Sequence, residues 1–432
     1  MTSSLPGERN TGAPRPRKLL WLLLLLRVAG AAGLTVPAPR FPAGWDSVGL
    51  APPSERLRVV FSLRQSREGL RYLAAELREI ADPSNAERYG RWLTQAQVEA
   101  AVAPPGRAFD VVEEWIRANT GNSADVILAR VGGDAVSVTA SVAQIEKLFS
   151  NGVQLHRVVF SPATASRKTI TKATLVRGYR LGDIIPDHIL TVLDMISPIF
   201  SFIERRRPSK KQSKPRRPSG TIGGDPAIVP QTVKTLYNLG PRNRTHYAAT
   251  TSNAVAEMQH SLGPEGFDKN DLNTYQKAMH LSDSLVPALV TGGHNDGIDP
   301  TGECTMDTDL VGALAQGNPT TFWFVDEWMY ELGLTLSAAK TPPNVVSISW
   351  GFAETRQCGP TDFGPDMPAN CTQLGILSNV SYVERTNTEF LKLSVRGVTL
   401  IVSSGDNGAP GDINSDCSSD DNITAALNPE FP

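Results

Sequence analysis

At 432 residues the chain has room for two or three domains with sizeable cores, and its 40% hydrophobic and 20% charged content is that of a globular protein. A formal net charge of -2 points to neither a nucleic-acid partner nor a strongly acidic one. The 36 Gly and 32 Pro predict many turns and several linkers.

Taken in chain order, the N-terminus comes first. Arg15, Arg17 and Lys18 precede LLWLLLLLRVAGAAG, which closes on Ala29-Gly30-Ala31. A basic start, a short apolar run and small residues predict a secretory signal peptide over residues 1–31, cleaved near Ala31. A signal anchor is the alternative. The apolar run is short for a membrane span, and no other stretch reaches the roughly 18 apolar residues a span requires. A secreted or lysosomal location follows. Four Asn-x-Ser/Thr sequons, at Asn243, Asn370, Asn379 and Asn422, are glycosylation candidates consistent with it.

Residues 32–55 are rich in Pro and Gly and read as a loose leader. From residue 56 the pattern sharpens. LRVVFSLR predicts a strand, and the helix after it sets Leu70, Leu73, Leu77 and Ile80 on one face. AFDVVEEWIRANTG predicts an amphipathic helix ending at Gly121, AVSVTAS a strand and VAQIEKLF a helix. Strands and helices interleaved in this way predict a small α+β domain with an antiparallel sheet, assigned to residues 56–202.

Residues 203–224 follow, with eight Lys or Arg between 205 and 217 among Pro and Ser. Such a segment buries no core and predicts an exposed linker. Its readings are a solvated tether, a heparin-type patch, or a processing site at the RRR and PRR runs. Processing is the reading adopted.

From residue 225 to 432 the texture changes again. NAVAEMQ, SLVPALVTGG, NVVSISWG and VTLIVSSGDNG predict strands, some continuously apolar, and Glu303–Gln316 and YVERTNTEFLKLSVRG predict helices. TTFWFVDEWMYELGL is part strand and part helix. Alternating strand and helix with buried strands predicts a parallel α/β sheet, whose site lies at the strands' carboxyl ends. The four cysteines all fall in this half. Cys358 and Cys371 are spaced to close a short loop, Cys417 is left for a partner outside the chain, and Cys304 reads as a buried free thiol.

Two features carry chemistry. GECTMDTDL sets Glu303 and Asp307 four residues apart, on one helix face, with Asp309 just beyond. Like charges at that spacing repel, so the bland reading is an acidic helix start and the sharper one a proton-sharing pair. SSGDNGAPGD delivers Asp406 from a buried strand into a Gly-rich loop, which is a plain turn or a ligand loop. Asp412, Asn414 and Asp416 echo a calcium loop, but Cys417 and Ile423 replace the Gly and Glu such a loop requires. None of the six His sits in a subtilisin-type motif.

E-C-T-M-D, then V-S-I-S-W-G, then S-S-G-D-N-G-A-P-G-D, in this order, resembles the sedolisin family of acid-acting serine-carboxyl peptidases, kumamolisins and tripeptidyl-peptidases among them. DPSNAERYGRWLT and RGYRLGDIIPDHILTVLDMISPI are similar to the start and end of that family's activation prodomain, and TVKTLYNL to the start of its mature enzyme. The likeness covers roughly residues 56–432. It implies a subtilisin-like catalytic domain behind a prodomain, with peptide or protein substrates and the chain's own prodomain as partners, and no nucleic acid.

By the same resemblance Glu303 is the general base, Asp307 shares its proton, and Asp406 is the oxyanion-hole acid. Ser349, Trp350 and Gly351 pair with substrate, while Glu257 and Trp350 extend the carboxylate network as in kumamolisin-like members. The family nucleophile lies in a Gly-Thr-Ser motif that occurs nowhere in these 432 residues. The family calcium site is likewise expected beyond Pro432, with no metal ligand in this chain. The expectation is therefore a peptidase zymogen cut short before its serine. The alternative is a non-catalytic product whose prodomain binds or inhibits a peptidase, and an unrelated α/β binding protein is the third reading.

Overall fold

A computed structural model describes residues 41, 45–160, 175–180, 185–199, 229–239, 251–258, 266–281, 289–291, 300–316, 318–325, 327–354, 357, 379–405 and 430–432. The signal peptide, the basic linker, Asp406, Cys358, Cys371, Cys417, Asn243, Asn370, Asn422 and the calcium-like loop lie outside them. Among the described residues no helix is long and apolar enough to cross a membrane.

The N-terminal part runs β1 (Trp45–Leu50), β2 (Arg56–Leu63), α1 (Arg67–Ile80), α2 (Gln95–Val102), α3 (Ala108–Thr120), β3 (Ile127–Val131), β4 (Ala135–Ser141), α4 (Val142–Leu148), β5 (Val153–Phe160), β6 (Leu175–Arg180), α5 (Asp187–Leu190) and β7 (Leu193–Ser197). Two antiparallel sheets result, in the orders β1-β5-β6 and β3-β4-β2-β7. Local chemistry sets the helix ends. The Ser66 hydroxyl accepts from the Gly69 amide, Thr94 with Gln97 and Ser141 with Gln144 form capping boxes, and Gly121 closes α3 at φ +81°.

One finding departs from the sequence reading. β1 lies inside the stretch expected to be a loose leader, pairing from Trp45↔Phe160 to Leu50↔His156 with a register shift between Ser47 and Gly49. Its residues show no two-residue alternation, so only the partner strand reveals it.

β2 explains how this part meets the rest. Its last five residues are buried on both faces. Val59, Phe61 and Leu63 point into a core with Val112, Trp115, Ile116, Ile145 and Phe149, where the Phe61 and Trp115 rings meet edge-on at 5.7 Å. Val60 and Ser62 point the other way, onto Tyr330 and Leu334.

The C-terminal part begins with α6 (Pro230–Leu236) and continues with β8 (Asn253–Met258), α7 (Lys269–Ala278), β9 (Leu289–Thr291), α8 (Gly302–Leu314), β10 (Thr320–Val325), α9 (Met329–Ala338), β11 (Val345–Ile348), β12 (Phe352–Ala353), α10 (Asn379–Ser394), β13 (Thr399–Val402) and β14 (Glu430–Phe431). The main sheet is wholly parallel, in the order β13-β11-β8-β10-β9. Both faces are covered. Ala254, Ala256, Val346 and Ile348 pack on Met329, Leu332, Leu336 and Leu393 of α9 and α10. Val255, Phe322 and Phe324 pack on Leu272 of α7 and Cys304 of α8. The fold is thus an α/β parallel-sheet domain preceded by a small α+β domain, as expected.

The two parts share a buried seam. The Leu93 amide donates to the Val395 carbonyl at 2.8 Å, and Leu73, Val98 and Val102 pack around Val395. At its centre the Asp134 carboxylate lies 3.1 Å from both Arg385 and Lys392 of α10, which also hold Glu389 at 2.8 and 2.6 Å. Gln65 donates to Asp134 as well, and Arg58 pairs with Glu331 at the margin.

Candidate active site

The site gathers at the carboxyl ends of β8 and β11, beneath α8. Thr301 caps α8, its hydroxyl accepting from the Cys304 amide at 3.4 Å, which starts the helix at Gly302. Glu303 then falls in the first turn, half-buried, and Asp307 one turn later, buried. Cys304 points the other way, buried in the core.

Asp307 Oδ2 accepts a short hydrogen bond from the Ser349 hydroxyl, one residue past β11. Burial pushes the Asp307 carboxyl above its ordinary range, and the Ser349 hydrogen bond offsets this only in part. The next residue, Trp350, donates its indole N–H to Glu257 Oε2 at 2.7 Å. Glu257 is fully buried on β8. Ser349 and Trp350 thus link a carboxylate of α8 with one of β8.

The sequence-predicted residues Glu303, Asp307, Glu257, Ser349, Trp350 and Gly351 therefore belong to adjoining elements. The Ser349 hydroxyl also hydrogen-bonds Asp307, a contact the sequence did not signal. Two further acids were not singled out by the sequence for this site. Asp309, on α8 facing α7, is pushed up to about 6 by burial and by Asp271. Glu430 reaches the end of β13, and only the glycines it approaches, Gly405 and Gly351, could have signalled it.

Among the described residues no group of three or more His, Cys, Asp or Glu is arranged to hold a metal ion. The calcium implied by the family resemblance has no fitting donor set among them.

Residues 43–202 match the family description "Pro-kumamolisin, activation domain". Physarolisin of Physarum polycephalum is 30% identical over 402 residues, covering 93% of this chain and 61% of the relative. Over most of its length the chain is similar to members of the sedolisin family. Tripeptidyl-peptidase 1 of Mus musculus is a sedolisin relative 26% identical over 408 residues, covering 91% of this chain and 64% of its own length. The human tripeptidyl-peptidase 1 is 24% identical over 387 residues. The chain thus spans about three fifths of the length of the curated sedolisin relatives it matches.

Proposed function

We propose that the chain is the precursor part of an acid-acting serine-carboxyl peptidase. In this reading residues 56–202 are the activation prodomain, 203–224 the processing linker and 225–432 the first part of the catalytic domain. The observation that carries it is the buried Asp307, bonded to Ser349 and set one turn from Glu303 at the carboxyl end of a parallel sheet.

The chemistry follows from that placement. Glu303 takes the proton of an attacking serine hydroxyl, as His does in neutral serine proteases. Asp307 accepts from Ser349 on Oδ2, and its other oxygen holds a proton toward Glu303. A carboxyl raised by burial keeps that proton into mildly acidic solution, so the pair works in acid. Glu257 steadies Trp350, and with it the strand end at Ser349–Gly351 that a peptide would line. Asp406, protonated, donates to the oxyanion. The nucleophile belongs to a Gly-Thr-Ser motif absent from these 432 residues.

The secretory pathway is the proposed destination, with Asn243, Asn370, Asn379 and Asn422 as glycosylation sites, Cys358–Cys371 as a disulfide and calcium bound outside this stretch. A loss of mass on endoglycosidase treatment of the expressed protein checks the first of these.

The decisive experiment is peptide cleavage by the full-length precursor after acid treatment. Glu303→Gln and Asp307→Asn should each lower kcat about 10²–10⁴-fold with KM little changed. Unchanged kcat in both variants overturns the reading. A second reading, in which the prodomain, residues 56–202, acts as a binding or inhibitory module, is favoured by the ion cluster buried in the seam. A full-length chain that cleaves nothing but inhibits a sedolisin peptidase would select it.

A further inference from the structure

Gly405, three residues past β13, lies against the carboxylate of Glu430. Gly405 has φ +78°, and a Cβ built there would lie 1.9 Å from Oε2, 2.5 Å from Cδ and 2.9 Å from Oε1 of Glu430. The positive φ favours glycine there, while the carboxylate, at the end of a flexible side chain, is free to shift. On the adjacent strand, a Cβ at Gly351 would lie 3.3 Å from the Phe431 carbonyl oxygen and 3.9 Å from Glu430 Oε2. Two glycines, each just beyond the carboxyl end of one of two neighbouring parallel strands, thus lie beside one acid.

The strand that carries Glu430 is braced from behind. It pairs antiparallel on β12, Ala353↔Glu430 and Phe352↔Phe431. Gln357 donates to the Phe431 carbonyl at 3.2 Å and accepts from the Trp328 indole at 2.8 Å. The acid therefore sits on a braced strand rather than a loose tail. It lies beside Gly351, the last residue of the Ser349–Trp350–Gly351 strand end, where a bound peptide would run.

We propose that Glu430 is a specificity-determining residue, selecting peptides with a Lys or Arg side chain flanking the scissile bond. The inference rests on the peptidase reading above and narrows it to a substrate class. A carboxylate carried on a braced strand beside two strand ends attracts a cationic side chain and disfavours an acidic one. The chain itself carries a matching substrate: the linker has Arg205, Arg206, Arg207, Lys210, Lys211, Lys214, Arg216 and Arg217 within 13 residues. A peptidase with this preference would find its first cleavage site between its own prodomain and catalytic domain.

The test is a positional-scanning peptide library on the acid-treated full-length precursor, with the new N-terminus of the processed protein sequenced in parallel. The expected result is a preference of about tenfold or more for Lys and Arg over Leu at one position flanking the cut, with self-cleavage inside 205–217. The ratio of kcat/KM for Arg over Leu should fall about tenfold in Glu430→Gln, persist in Glu430→Asp and invert toward Glu in Glu430→Lys. Wild-type profiling stands without any variant. Cleavage with no basic preference at any position, or an Arg/Leu ratio unmoved by Glu430→Gln, overturns the inference and leaves the peptidase reading in place. A full-length precursor that cleaves no peptide overturns both.

Discussion

Asp134 and Asp307 are both buried carboxylates, yet their surroundings move their acidity in opposite directions. Burial alone would raise Asp134, but Arg385 and Lys392 outweigh it, with Gln65 adding a hydrogen bond, and hold it below the ordinary range. Asp307 is raised by burial, with only the Ser349 hydroxyl against it. A carboxylate with two cations is a fastening that stays ionised. One with only a neutral donor keeps a proton within reach, as a catalytic acid must. The seam and the candidate site use one residue type for opposite ends.

That comparison can be broken most severely at the seam. Asp134→Asn removes the shared partner of two buried cations and should cost about 3–5 kcal/mol, read by urea unfolding at neutral pH. Replacing Asp134 and Lys392 together by apolar residues should recover part of that loss. A single variant as stable as the wild type would mean that the cluster holds nothing together.

The pH dependence sharpens it. Asp134 has a folded pKa below its unfolded value of about 3.9, so its contribution is present above that value and lost as pH falls through the folded one. Asp307 and Asp309 are raised, so their contribution is full below about pH 3.9 and lost as pH rises, for Asp309 through about 6. Asp134→Asn should therefore lose its penalty in strong acid. Asp307→Asn and Asp309→Asn should match the wild type there and gain on it as pH rises past about 4. Denaturant midpoints at pH 3, 5 and 7 read all three, and parallel curves would refute the contrast.

A smaller effect is expected at Trp350→Phe, which keeps the ring but removes the donor to buried Glu257, at a cost of about 1–3 kcal/mol. The smallest is Thr94→Ala, which opens the α2 capping box for about 1 kcal/mol without touching the site or the Asp134 cluster. A shift in the pH profile of peptide cleavage with Trp350→Phe but not with Thr94→Ala would tie Glu257 to the carboxylate network.

Much of the fold was legible because it is locally encoded. Helix faces, Gly121 at its αL position and the apolar run of β11 need only nearest neighbours to be read. The pairing of Glu303 with Asp307 on one face follows from helical geometry. β1 was not legible, because its strand character comes from β5 rather than from its own alternation. The Ser349–Asp307 hydrogen bond was not legible either, because it crosses 42 positions of sequence.

The sequence by itself determined the α/β class, elements such as β2, α1, α3, β11 and α10, the face shared by Glu303 and Asp307, and the order of the sedolisin-like motifs. Those depend on periodicity and short spacing, which the chain carries locally. Only the tertiary structure decided that Asp134 meets two cations of α10, that Ser349 bonds Asp307, and that Glu430 fills the space left by Gly405. Each joins residues far apart in the chain, and whether a buried carboxylate gains a cation, a hydroxyl or a glycine as neighbour is set by packing rather than by local pattern.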